Sequence, residues 1–283
     1  RRGQSPVPPG APHGFGLEGA GAIGGAGADV DNWEVGDEVI ALLTGGGYAE
    51  ELVVPAIQVL PKPQSLTMVE AAGIPEVACT VYSNLAMIAG LRRGQTVLVH
   101  GGAGGIGSFA VQWAAAIGAR VVTTAGSQSK TDAALTLGAY TAINYRTDDF
   151  VTETLRETDG RGVDAILDIV GAPYFERNVQ CLAPDGHLVI IGGSAAPTTI
   201  DLWALMSRRA SVSATLLRGR PPAQKAEIVA GVTRDVLPLI EAGAIRFFVD
   251  TVFTLPQAAQ AHELLEEGRT VGKVVLKVEQ RLP

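Results

Sequence analysis

The chain has 283 residues, 47% hydrophobic and 18% charged, which suits one large core or two ordinary ones and excludes an intrinsically disordered chain. Its formal net charge of −7 argues against a nucleic acid as the main partner. Cys79 and Cys181 are the only cysteines, too few for a disulfide framework or a cysteine-rich zinc site, and both are expected as small buried side chains.

Before Gly94, the pieces "GFGLEGAGAIGGAG", "VGDEVIALL" and "GYAEELVV" predict short strands broken by glycines, as in a small antiparallel or barrel-like unit. The texture then changes. "TVLVH" (Thr96–His100) predicts a buried strand, followed by glycines and a helix over "SFAVQWAAAIG" that ends at Gly118. "RVVTTA" (Arg120–Ala125), "TAIN" (Thr141–Asn144), "VDAILDIV" (Val163–Val170) and "HLVIIG" (His187–Gly192) predict further strands, with a helix through Lys130–Leu137 and others between them. "SVSATLL" (Ser211–Leu217) closes the series. Near-continuous apolar strands alternating with helices imply a parallel sheet covered on both faces. A long helical stretch to Ala242 follows Arg220, then strand-like "FFVDTVF", a helix over Pro256–Glu267 and a last strand "GKVVLKV". The α/β unit is thus expected to be inserted between the two halves of another domain. No apolar run approaches the ~18–20 residues that span a bilayer, and no signal peptide opens the sequence, so a soluble cytoplasmic protein is expected.

Gly102-Ala103-Gly104-Gly105-Ile106-Gly107 fits G-x-G-x-x-G between a strand and a helix, with another strand beyond. In that context the pattern predicts dinucleotide binding. One glycine turns the chain, one lets backbone approach a pyrophosphate at the helix N-terminus, and one lets helix and strand pack closely. An NAD site places a carboxylate against the ribose roughly 20 residues on. Here Thr123–Lys130 holds none, whereas Ser127 and Lys130 can donate to a 2′-phosphate, so NADPH is the expected cofactor. Strand ends "DIVG" and "IIGG", with Val170 and Gly192, face the same crevice and are small enough to admit a nicotinamide. No tyrosine is followed four positions later by lysine, and no G-x-S-x-G elbow occurs. His13, His100, His187 and His262 form no H-x-x-x-H pair, and His100, beside the glycine loop, is read as structural.

"GLEGAGAI", "VGDEVIAL", "GGGYAEELVVP", "AAGIPEVACTVYSNL", "GQTVLVHGGAGGIG", "INYR" and "GKVVL" resemble, in order, the medium-chain dehydrogenases/reductases, and within them the zinc-independent, zeta-crystallin-like quinone oxidoreductases. Zinc-dependent relatives carry Gly-His-Glu where this chain has Gly16-Leu17-Glu18, so no metal is expected. The resemblance implies a doubly wound, parallel Rossmann NADPH-binding domain over 79–218. It would be inserted in a GroES-like, β-barrel-type catalytic domain formed by 1–78 and 219–283. It also implies a homodimer through the Rossmann edge strand, with "SVSATLL" as that edge. For the 2′-phosphate it carries over Gly126, Lys130, Tyr145 and Arg269. Thr80, Tyr82 and Leu216 are carried over to positions near the nicotinamide, Tyr82 being the one catalytic candidate. In this family several dozen residues, with an asparagine and aromatic groups at the quinone, precede "RRGQSPVPPG", and such a stretch is expected ahead of this chain.

The expected activity is NADPH-dependent, zinc-independent reduction of a quinone or similar conjugated carbonyl, without nucleic-acid or membrane partners. Two alternatives stand beside it. One is a 2-enoyl-thioester reductase using Arg208, Arg209, Arg218 and Arg220 as a coenzyme A groove. The other is a non-catalytic NADPH-binding or structural protein.

Overall fold

A computed structural model describes residues 7–194 and 196–278. Residues 1–6 and 279–283, assigned above to the catalytic domain, and residue 195 lie outside the described residues.

The chain opens with β1 (Glu18–Ala22), β2 (Glu38–Leu42) and β3 (Val59–Pro61), a three-stranded antiparallel sheet in which Glu18 lies opposite Leu42 and Ile40 opposite Leu60. Two helices follow, α1 (Met68–Ala71), closed by a Thr67–Glu70 capping box, and α2 (Ile74–Val81), which runs into a π-helical turn over Tyr82–Ile88. "GYAEELVV" does not form the predicted strand. Its Gly47 and Tyr48 amides donate to the carbonyls of Gly16 and Phe15, which pins the start of the segment as a loop, and Val53 stands 96% exposed.

The α/β series comes next: β4 (Thr96–His100), α3 (Gly105–Ala116), β5 (Arg120–Ala125), α4 (Gln128–Thr136), β6 (Thr141–Asn144), α5 (Phe150–Glu157), β7 (Val163–Asp168), α6 (Phe175–Cys181), β8 (Leu182–Ile190), α7 (Leu202–Arg208) and β9 (Ser211–Ala214). All strand pairs are parallel and the order is β6-β5-β4-β7-β8-β9, a doubly wound sheet whose order reverses between β4 and β7. All five residues of β4 are buried, as expected for a central strand covered on both faces. Leu98, Val122, Ile166 and Leu188 from four strands pack with Phe150 and Phe175 from the helices. β7 stops at Asp168, two residues short of the prediction, because the Asp168 carboxylate takes the Val170 and Gly171 amides. β8 begins five residues earlier than predicted, at Leu182.

The return segment contains α8 (Pro222–Asp235), α9 (Leu237–Glu241), β10 (Val249–Thr254), α10 (Ala258–Glu266) and β11 (Lys273–Lys277). The single helix predicted up to Ala242 is broken at Val236, because Pro238 has no amide hydrogen to continue the ladder. β10 and β11 pair in parallel as a separate two-stranded sheet. The chain divides into two compact units, one holding the residues up to Cys79 together with those from Leu217 onward, the other Thr80–Leu216. Among the described residues no helix is long and apolar enough to cross a membrane.

Candidate cofactor-binding site

Within the Thr80–Leu216 unit, β4 ends at His100 and the chain turns at Gly101, whose φ of +76° favours glycine. The Gly101 carbonyl accepts the Gly104 amide at 2.9 Å. A Cβ on Gly107 would overlap that same carbonyl, and one on Gly102 would overlap Thr123 Oγ1. The glycines at 102 and 107 therefore let helix α3 seat directly on the β4–β5 strand ends. Gly104 is the N-cap of α3 and brings no capping side chain, so among the described residues the amides at Gly105, Ile106 and Gly107 are left to an outside acceptor. A Cβ on Gly104 would find only one atom within 4 Å, the Gly101 oxygen at 3.4 Å, so its outer side is open. Unfilled amides at a twelve-residue helix N-terminus, beside a glycine whose outer side is open, fit a phosphate or pyrophosphate.

The end of β5 brings together the residues assigned to the ribose phosphate. A Cβ on Gly126 would lie 2.5 Å from the Tyr145 hydroxyl, and the Tyr145 amide donates to Ala125 O at 3.1 Å. Ser127 is the N-cap of α4, with its hydroxyl 3.1 Å from Ser129 Oγ rather than on the helix amides, and Lys130 lies in the first turn. Gly126, Ser127, Lys130 and Tyr145 thus gather at one corner. Arg269 belongs to the other unit, where Glu267 engages its guanidinium at 2.9 Å.

On the other side of the switch point, the loops after β7 and β8 are joined. Ser194 N donates to Val170 O at 3.0 Å, and Gly171 pairs with Ser194 in a parallel bridge. Asp168 is fully buried and accepts the Val170 and Gly171 amides at 2.7 and 3.1 Å. Burial pushes its carboxyl up while these amides pull it back. Gly192 lies in the exposed loop beyond, with no atom closer to its would-be Cβ than 4.0 Å. Thr80 and Tyr82 are buried, and the Thr80 carbonyl accepts from Asn84 Nδ2 at 2.7 Å. Asn84 Oδ1 in turn accepts the Thr215 hydroxyl at 2.7 Å, one residue before Leu216, which is 65% exposed.

Two groupings were not visible in the sequence. His100, Thr124 and Asn178 form a buried polar chain behind the glycine loop, with no local pattern to announce it. In the other unit, Glu18 accepts the Glu76 amide at 2.9 Å and pairs with Lys273, while Arg218 and Lys225 bond the Thr44 carbonyl and hydroxyl at 2.8 and 2.9 Å. Burial, with the Glu18 charge second, pushes the Glu76 carboxyl up to about 7. Both cysteines are buried, and burial pushes their thiols up. Among the described residues, no group of three or more His, Cys, Asp or Glu is placed to hold a metal. The four arginines considered for a coenzyme A groove divide between the units, Arg208 and Arg209 in one and Arg218 and Arg220 in the other, and Asp185 engages Arg209 at 2.7 Å.

Residues 1–64 match the family described as alcohol dehydrogenase GroES-like domain, and residues 137–276 the family described as zinc-binding dehydrogenase. The quinone oxidoreductase of Pseudomonas aeruginosa is 34% identical over 278 residues, 98% of this chain and 85% of that protein. The crystal structure of Escherichia coli quinone oxidoreductase complexed with NADPH superposes with a TM-score of 0.84 at 31% identity, covering 95% of this chain and 83% of that one. A crystal structure of an NAD-dependent alcohol dehydrogenase gives the same TM-score of 0.84 at 32% identity, over 97% of this chain and 85% of that one.

Proposed function

The chain belongs to the zinc-independent quinone oxidoreductase branch of the medium-chain dehydrogenases/reductases, and we propose that it reduces a quinone or similar conjugated carbonyl with NADPH. The observation that carries this reading is the uncapped N-terminus of α3 behind Gly102, Gly104 and Gly107, a cradle for a dinucleotide pyrophosphate. Bound NADPH supplies the hydride, and a proton completes the reduction.

The chain's own residues bind and orient. The amides at Gly105, Ile106 and Gly107 meet the pyrophosphate. Lys130 offers a cation to the 2′-phosphate and Ser127 a hydroxyl, with Gly126 leaving room and Tyr145 bordering the same corner. Arg269 is assigned to that phosphate by family resemblance alone. The Val170 and Gly192 backbone, with Thr80, Tyr82 and Leu216, is assigned to the nicotinamide side. Quinones accept hydride readily, so positioning and exclusion of water are enough without a metal.

A homodimer is part of the same reading. β9 is the edge of the six-stranded sheet, and α7, which precedes it in the chain and packs on β8, carries Trp203, 73% exposed, with Leu202 and Met206 also exposed. Light scattering tests it, and a monomer at micromolar concentration refutes it. The reading also takes the protein as cytoplasmic.

The deciding experiment is NADPH oxidation with a simple ortho-quinone, with NADH in parallel. Turnover with a clear NADPH preference is the expected result. Equal use of NADH would remove the 2′-phosphate assignment, and no turnover with either would overturn the activity.

A further inference from the structure

In the β4–β5 register His100 lies opposite Thr124, and the two side chains meet. His100 is only 1% exposed, with Nδ1 3.0 Å from Thr124 Oγ1 and Nε2 2.7 Å from Asn178 Oδ1. An amide oxygen only accepts, so Nε2 carries the proton and donates to it. Nδ1 is then a bare lone pair, and the Thr124 hydroxyl donates to it. The Thr124 oxygen is left to accept the Gly101 amide at 3.3 Å, an N–H that the Thr124 carbonyl shares at 3.0 Å. The result is a one-way chain from Gly101 through Thr124 and His100 to Asn178. Its first member is the residue whose carbonyl seats Gly104 and Gly107.

The surroundings keep His100 neutral. The Phe150 and Tyr174 rings stand edge-on to the imidazole at 4.9 and 5.0 Å and exclude water. Arg177, on the same helix as Asn178, lays its guanidinium 3.9 Å over the Phe150 ring. Burial, with the Arg177 charge acting the same way, lowers the imidazole to about 4 against the opposing Asn178 bond. Tyr174 and Arg177 are the titratable groups that face it from α6 and the turn before it, and the buried Asp168 carboxylate at the end of β7 acts on the Asn178 side chain; Phe150, from α5, is apolar.

We infer that His100, held by Asn178 as its Nε2–H tautomer, is a positioning residue that fixes the Gly101 turn through Thr124 and thereby sets the affinity for the dinucleotide pyrophosphate. The inference rests on the NADPH reading above. Protonation of His100 reverses its bond to Thr124, turns that hydroxyl away and leaves its proton buried without an acceptor.

The test makes His100 protonatable in an accessible range. Asn178→Asp puts a carboxylate on Nε2, which favours the imidazolium and moves its titration up towards the ordinary imidazole range. NADPH binding is measured directly by calorimetry from pH 5 to pH 8, and each variant is compared with wild type at the same pH, which cancels titration of the ligand. Asn178→Asp should bind NADPH about five- to tenfold more weakly at the acid end and approach wild type at the alkaline end. The double variant Asn178→Asp/His100→Gln should lose that pH dependence. Adenosine 2′-monophosphate, which has no pyrophosphate, should show a flat ratio throughout. A flat ratio for NADPH, one that persists without His100, or one that adenosine 2′-monophosphate shares would overturn the inference. Thr124→Val is the second variant and carries the test should Asn178→Asp not fold. It should raise the NADPH Kd several-fold with KM for the quinone near wild type, and an unchanged Kd would refute the chain. A wild type that binds no NADPH would instead overturn the proposed function.

Discussion

Replacing Glu76 with glutamine should flatten the pH dependence of stability in the unit that carries it. Glu76 sits on α2 with its amide on Glu18 and its carboxyl buried beside the Glu18 charge. Lys273, Lys225 and Arg218 offset part of that repulsion, and the balance leaves the group near pH 7, against an ordinary value of 4.5. Between those two pH values the folded state holds a proton that the unfolded chain has released. Stability from this group is therefore full below pH 4.5 and lost as pH rises through 7. The whole displacement corresponds to about 3 kcal/mol. Glutamine keeps the shape and cannot ionise, so Glu76→Gln should match wild type at pH 4.5 and exceed it by up to about 3 kcal/mol at pH 8. Thermal unfolding followed by circular dichroism should show this as a Tm gain of roughly 5–10 °C at pH 8. Parallel pH profiles for the two proteins, or a less stable variant at pH 8, would refute the reasoning.

Lys130→Ala should lower kcat/KM for NADPH by about tenfold, the loss of one charge-assisted hydrogen bond, and leave NADH use unchanged; initial rates with the two cofactors check it. Gly107→Ala should abolish NADPH binding, because the new Cβ meets the Gly101 carbonyl and neither backbone can yield; direct titration measures this. Lys273→Met leaves the Glu18 carboxylate without its cation and should cost about 3 kcal/mol, read as a lower Tm at neutral pH.

β4, β5 and β6 have the predicted limits. A strand buried on both faces writes itself as an unbroken apolar run, and the glycines beyond β4 and β5 mark where it must turn. The glycine loop was readable for the same reason, since a positive φ and a close backbone approach are local demands that only glycine meets. The corner formed by Gly126, Ser127 and Lys130 lies within one turn of chain and could be found by counting from that loop.

What the tertiary structure alone decided are the pairings between residues far apart. "GYAEELVV" has strand composition, yet its first two amides go to the Phe15–Gly16 loop. Glu18 finds Glu76 58 positions away and Lys273 255 positions away, and His100 finds Asn178 78 positions away. No periodicity encodes such partners. A buried charge or imidazole has to be satisfied by whatever the packed elements bring to it, and only the fold determines which side chain that is.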